Sequence, residues 1–170
     1  VRNYIHFNQI FIVKSLGYNL WKGNNELSKV EGHAESFEKE EHKNIKLKID
    51  NLEKDKFYEI KRDDIFLSQA LNNLKEEPIH YFYLFFKKLI SYYFIDINSN
   101  YKNYYNFFHI YPITLLSLLS FPGLFLFYKI NKFENKCFVL YLFLNLIIFS
   151  IFFILPRYKL AILPIQIILA

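Results

Sequence analysis

Two long uncharged runs occupy most of the second half of the chain. Ile110–Tyr128 and Cys137–Leu155 each contain 19 residues without a charged side chain. Each run approaches the roughly 20 apolar residues that cross a bilayer as a helix. Both are apolar on all sides, which disfavours an amphipathic surface helix and leaves a buried helical pair in a soluble core as the alternative. The pattern predicts two transmembrane helices, and the 11-residue run Leu160–Ala170 predicts the start of another span.

An aromatic segment precedes these spans. Residues 78–95 are rich in Phe and Tyr and are interrupted by Lys87 and Lys88. Pro78 suits the first turn of a helix, where its missing N–H costs nothing. Tyr favours the headgroup layer and Lys can extend its amine towards it, so the pattern predicts an interfacial or re-entrant helix rather than a complete span. With its polar connector, this region covers residues 78–109.

The first 77 residues have the mixed pattern of a water-exposed segment. Alternating Ile and Phe at positions 5–12 predict a short strand with an irregularity, and the Gly- and Asn-containing stretch Leu16–Asn25 predicts a turn. Residues 26–56 are so highly charged that a solvated helix and a loose insertion both fit. Asp63 and Asp64 predict the start of an amphipathic helix. We therefore expect a small extracytoplasmic α+β segment at residues 1–77, followed by membrane helices.

Charge is distributed unevenly along the chain. Residues 1–78 hold 13 basic and 14 acidic side chains, whereas residues 79–170 hold 8 and 2. The basic surplus therefore lies in the apolar half, where it favours a membrane-flanking role, and nucleic acid is not expected as a partner. The loop at 129–136 carries three Lys and the turn at 156–159 two basic residues. The positive-inside rule then places 129–136 in the cytoplasm and residues 1–109 on the extracytoplasmic side.

The chain contains one cysteine and no methionine. The single cysteine, Cys137, excludes an intramolecular disulfide, and there is no methionine at any position. We therefore expect an internal piece of a longer protein. Glycine-rich phosphate loops, zinc-binding cysteine pairs and nucleophile elbows are absent from the sequence.

Three strings occur in an order typical of one enzyme group. RNY at residues 2–4 precedes NLWKGNN at residues 19–25, and RYKLAILP occupies residues 157–164. An amphipathic segment ending near Pro78 lies between the second and the third string. This order resembles the C-terminal half of bacterial GT-C glycosyltransferases, the multi-pass group akin to dolichyl-phosphate-mannose protein mannosyltransferases and the aminoarabinose transferase of lipid A. The resemblance runs from residue 1 to residue 170, although residues 26–56 match no part of it.

The resemblance implies a membrane glycosyltransferase. Such an enzyme moves a sugar from a polyprenyl-phosphate carrier to a lipid, glycan or protein acceptor at the outer face of the bacterial inner (plasma) membrane. Its partners are the lipid bilayer and the polyprenyl-phosphate-linked sugar. A phosphate held beside lipid is best paired with a planar guanidinium, which makes Arg157 the first candidate, followed by Lys159 and Lys88. For each of the three, anchoring at the membrane interface is the alternative.

The NLWKGNN string gives a second group of candidates for contact with the sugar or the acceptor. An aromatic face and side-chain amides could contact a sugar, and a tight turn is the alternative because Asn and Gly tolerate positive φ. The members of this group are Asn19, Trp21, Gly23, Asn24 and Asn25.

The resemblance places the catalytic carboxylate in a loop upstream of Val1. No catalytic residue is therefore expected within residues 1–170, no cofactor is assigned to them, and a divalent metal would be bound by upstream residues. The rival hypothesis is a non-enzymatic multi-pass membrane protein, either a transporter half or a membrane-anchored binding module. Transporters place polar sites near the bilayer midplane, where Asn145 is the one strongly polar residue of the two spans, so the sequence favours chemistry at the interface.

Overall fold

The computed structural model describes residues 14–32, 42–96, 99, 106–130 and 132–170. These residues form two compact units, Val1–Tyr81 and Phe82–Ala170. All regular structure in the described ranges is helical. The helices are α1 Leu16–Gly23, α2 Lys43–Asp50, α3 Tyr58–Glu76, α4 Pro78–Tyr93, α5 Phe107–Lys129, α6 Phe133–Ile151, a 3₁₀ helix Pro156–Ala161, and α7 Leu163–Leu169.

The first unit packs α1 and α2 against the long helix α3. Its core is a set of apolar side chains contributed by all three helices, in which Trp21 and Ala70 are fully buried. Side chains at i, i+3 and i+4 share one face of a helix, which explains why α3 buries positions 63, 66, 70 and 73 together. The core consists of Trp21, Ile45, Ile49, Phe66 and Ala70.

The prediction of a small α+β segment is wrong. The described residues within 14–77 contain helices and no strand, while the strand predicted at residues 5–12 lies outside the described residues. The turn predicted over Leu16–Asn25 is a helix as far as Gly23, and the chain turns only afterwards. Gly17 occupies the first turn of α1 because a β-carbon there would collide with the backbone of α3 at Asp63. The glycine allows two helices to approach closely instead of marking a turn.

The acidic pair differs from its prediction, whereas part of the charged stretch is a helix, one of the two alternatives predicted for it. Within 26–56, residues Lys43–Asp50 form a helix whose Ile45 and Ile49 are buried, and residues 33–41 lie outside the described residues. Helix α3 begins at Tyr58, so Asp63 stands inside it rather than at its start. The Asp63 carboxylate instead accepts hydrogen bonds from the backbone amides at the start of α1. Asp63 is a capping residue for a different helix.

In the second unit both predicted spans are helices with shifted bounds. The first covers Phe107–Lys129, and the Asn106 side chain accepts a 2.9 Å hydrogen bond from the His109 amide at its start. The second covers Phe133–Ile151 and ends four residues before the predicted Leu155. The residue before a proline is biased towards extended backbone, and Leu155 adopts φ −102° and ψ 150° ahead of Pro156.

Helices α5 and α6 are long and apolar enough to cross a membrane. Only 11% and 28% of their most apolar windows are buried in the protein, whereas the core helix of a soluble protein would be mostly buried. Large apolar side chains therefore face outwards along both helices, and this exposure supports membrane association.

Small and polar residues join α4, α5 and α7 within the second unit. The Gln166 side-chain amide donates to the carbonyl of Tyr93 at 2.9 Å, and the Ser117 hydroxyl lies 2.9 Å from the same carbonyl. The Tyr93 hydroxyl pairs with that of Ser120 at 2.8 Å. A β-carbon at Gly123 would collide with the Leu169 backbone, so α5 and α7 are in close contact there. Small residues and inter-helix hydrogen bonds are the usual means of joining helices in lipid.

Candidate functional site

The RYKLAILP string lies immediately after α6, in the second unit. Its first residues belong to the 3₁₀ helix Pro156–Ala161, and its last two begin α7. Pro156 and Pro164 each occupy an early helical position, where the missing N–H costs no hydrogen bond. This short segment places two basic side chains in contrasting environments.

Arg157 is exposed and Lys159 is buried. The Arg157 guanidinium lies 5.6 Å from the centre of the Tyr158 ring, within the range of a cation–π contact. It has no ion-pair partner among the described residues. Lys159 is only 6% exposed, and within the described ranges no group accepts a hydrogen bond from its amine. A buried amine without such a partner is costly, because the charged form has lost its water.

The surroundings of Lys159 change its acidity. Burial lowers the pKa of its amine to about 8, and the nearby carboxylate of Asp96 opposes this by raising the pKa. Asp96 is itself buried. The amine is therefore protonated in most molecules at neutral pH, with the carboxylate of Asp96 close enough to affect its pKa.

Lys88 lies on α4 and is fully buried. Its amine donates a 2.6 Å hydrogen bond to the backbone carbonyl of Phe152, the residue that follows α6. Desolvation lowers the pKa of this amine to about 7. Lys88 thus contacts the backbone at the end of α6, just before the segment that carries Arg157 and Lys159.

Tyr92, one helical turn after Lys88, was not predicted as a site residue. Its hydroxyl donates to the backbone carbonyl of Tyr158 at 3.0 Å, and its side chain is fully buried. Residues at i and i+4 share one face of a helix, so the Lys88–Tyr92 spacing could have indicated a joint role. Asp96 was missed as well, although it is one of only two acidic residues in the basic half of the chain.

The NLWKGNN string lies in the first unit. Trp21 has 0% exposure and contacts the rings of Phe66 and His42 at 5.0 and 5.1 Å between centres. Asn24 donates to the Leu20 carbonyl at 2.9 Å, and Asn25 is fully buried.

The asparagines bind the chain around them. The Asn25 side-chain oxygen accepts a 3.0 Å hydrogen bond from the backbone amide of Leu27. The Ser28 hydroxyl accepts a 2.9 Å hydrogen bond from the backbone amide of Asn25. These bonds form the turn that follows α1. Gly23 is buried at the end of α1, and Asn19 is half-buried with its amide 3.5 Å from the Ser15 hydroxyl. Contact with a sugar or acceptor stays a prediction for all five residues.

No group of three His, Cys, Asp or Glu side chains in the described part of the chain could hold a metal ion. The comparisons with known proteins give no family assignment, since no family model, curated protein or solved structure matches the chain.

Proposed function

We propose that this chain is part of an integral-membrane glycosyltransferase that takes a sugar from a polyprenyl-phosphate carrier. In this proposal the segment Pro156–Ala161 binds the carrier phosphate through Arg157 and Lys159. The acceptor is a lipid, a glycan or a protein, and the site faces the outer side of a bacterial inner membrane. These residues are assigned phosphate binding, and the catalytic carboxylate is not among them.

The observation that carries the proposal is the buried amine of Lys159. It has no hydrogen-bond acceptor among the described residues, and it follows an exposed guanidinium by two positions. A buried cation is stabilised when an anion completes its pairing. A phosphate ester supplies several acceptor oxygens, and Arg binds such oxygens with two parallel hydrogen bonds.

The position of the segment along the chain supports a lipid-linked anion. The 3₁₀ helix begins five residues after α6, which is long and apolar enough to cross a membrane. A residue so close to the end of a span lies near the boundary between lipid and water. A polyprenyl phosphate has its chain in the lipid and its charge at that boundary.

Binding of a polyprenyl monophosphate to the chain in nanodiscs tests this proposal. We expect Lys159→Met to weaken binding by at least about tenfold, because a charged hydrogen bond is worth roughly 1.5–3 kcal/mol. Lys87→Met, which removes a half-buried lysine from α4, is the matched control and should leave the affinity within about twofold. Equal affinity for Lys159→Met and the unchanged chain would refute the phosphate site.

The rival function is a non-enzymatic membrane protein, either a transporter half or a membrane-anchored binding module. Both functions permit phosphate binding, so transfer of the sugar distinguishes them. If the complete protein binds the lipid-linked sugar but never releases the sugar from its carrier in the presence of membrane acceptors, the rival is favoured.

A further inference from the structure

Helix α4 makes two hydrogen bonds to the backbone around the turn that follows α6. Lys88 donates to the carbonyl of Phe152 at 2.6 Å, and Tyr92 donates to the carbonyl of Tyr158 at 3.0 Å. Both side chains have 0% exposure. Two fully buried donors, one helical turn apart on α4, therefore fix the backbone on each side of the 152–158 turn.

The Lys88 bond determines how the chain leaves α6. Phe152 is the first residue after the helix, with φ −94° and ψ −103°, which is not a helical conformation. The last carbonyls of a helix have no partner within it, and a cation at this end also interacts favourably with the helix dipole. The amine of Lys88 donates the hydrogen bond, and in its protonated form it also supplies the favourable charge.

Aromatic contacts reinforce the second attachment. The Tyr92 ring lies 5.3 Å from the Phe149 ring, and the Phe149 ring lies 5.1 Å from the Tyr158 ring. The Phe153 ring lies 6.1 Å from the Tyr158 ring. Tyr158 is thus held through its carbonyl and its ring, between the two basic residues of the proposed phosphate site.

We propose that Lys88 and Tyr92 are positioning residues for the phosphate site, and that Lys88 acts through the backbone and does not bind the phosphate. This inference rests on the proposed function. Its physical reason is that the Lys88 amine is buried and already committed to a short hydrogen bond with a helix-terminal carbonyl. Losing either bond would let Lys159 occupy more than one orientation, and the cost of ordering it would then weaken binding.

A double-mutant cycle separates a positioning residue from a ligand. The measured quantity is the affinity of the chain in nanodiscs for a polyprenyl monophosphate, with and without Lys88→Met in the original and the Lys159→Met backgrounds. Methionine retains the length and apolar stem of lysine but cannot donate to Phe152. Tyr92→Phe removes only the hydroxyl that donates to Tyr158, and it provides a second test if Lys88→Met fails to fold.

The positioning role predicts that Lys88→Met weakens binding about tenfold and Tyr92→Phe about threefold. In the Lys159→Met background, both losses should fall below about twofold, because the residue being positioned is gone. Equal losses in both backgrounds would make Lys88 an independent ligand and overturn the inference, as would undiminished affinity in both single variants. If Lys159→Met alone leaves binding unchanged, the proposed phosphate site itself has failed.

Discussion

Asp63 accepts a 3.1 Å hydrogen bond from the backbone amide of Gly17, although 46 residues separate them. The same carboxylate accepts a 2.9 Å hydrogen bond from the backbone amide of Tyr18. The first amides of a helix have no partner within it, and a carboxylate there also complements the helix dipole. These two bonds, of which the one from Gly17 is buried, join α1 to α3 beside the core around Trp21.

Removing this carboxylate should destabilise the first unit. We expect Asp63→Ala to lower the free energy of unfolding by about 2–4 kcal/mol, because a helix cap is lost and the amides of Gly17 and Tyr18 lose their acceptor. Asp63→Asn, which keeps one acceptor oxygen, should cost less. The chain has one tryptophan, so urea unfolding followed by Trp21 fluorescence reports on this unit.

The neighbouring residue Asp64 is the matched control. Its side chain is 56% exposed and forms a 2.9 Å ion pair with Lys14. Exposed ion pairs contribute about 0–1 kcal/mol, so Asp64→Asn should change little. Similar losses for the Asp63 and Asp64 variants would show that the inter-helix cap does not stabilise the unit.

The proposed orientation of the membrane helices predicts a labelling pattern. In a Cys137→Ser background, a cysteine replacing Asn131, between the two spans, should resist an impermeant thiol reagent in intact cells. A cysteine replacing the exposed Ser68 should react, because residues 1–109 are proposed to be extracytoplasmic. As the control, both variants are labelled again after the cells are opened. The reverse pattern in intact cells would place Arg157 on the cytoplasmic side.

The acidity of Lys159 predicts how phosphate binding depends on pH. With its pKa lowered to about 8 by burial, the amine loses its charge as the pH rises above 8, whereas an exposed lysine would stay charged to about 10.5. Affinity for a polyprenyl monophosphate should therefore fall between pH 7 and 9. The same titration of Lys159→Met isolates this effect from the titration of Lys88, whose pKa is about 7. Identical pH profiles for the two proteins would refute the role of this amine.

The free energy of unfolding should change with pH in the opposite direction to the affinity for phosphate. Because the pKa of Lys159 is lower in the folded protein than its ordinary 10.5, the unfolded chain binds more protons between pH 8 and 10.5. The free energy of unfolding should rise with pH across this interval, and Lys159→Met should remove that part of the slope.

The two long apolar helices could be predicted from the sequence because each is specified by a long, local run of uncharged residues. The residues at which these helices end depend on contacts with other parts of the chain, which the uncharged runs do not reveal. Helix α6 ends at Ile151, where the carbonyl of the next residue, Phe152, is bound by Lys88 from a distant helix. A partner 64 residues away leaves no local signal.

The error in the first unit has the same kind of cause. Gly17 and Gly23 have low helix propensity, and local pattern alone favoured a turn. The Asp63 carboxylate and the close packing of Gly17 on α3 stabilise a helix there instead. In the candidate site, the string at residues 157–164 indicates Arg157 and Lys159 as candidates, whereas Tyr92 is indicated only by its i, i+4 spacing from Lys88, because it acts on the backbone of Tyr158.

Sugar transfer by Arg157 variants of the complete protein tests the central claim most directly. If Arg157 holds the carrier phosphate, its interactions strengthen as the sugar leaves and charge accumulates on that phosphate. Removing a donor aimed at developing charge typically costs a factor of about 10²–10³ in turnover. We therefore expect Arg157→Ala to reduce transfer by about that factor at normal membrane abundance. Arg157→Lys should retain partial activity, since the charge remains but the paired hydrogen bonds are lost.

The measurement is the rate of sugar transfer per folded enzyme for the three forms, with the carrier concentration varied. An interfacial anchor would behave differently, because lysine also extends its charge to the headgroup layer and should replace arginine almost fully. The account predicts a severe loss for Arg157→Ala and an intermediate rate for Arg157→Lys. Near-normal turnover in Arg157→Ala would contradict it.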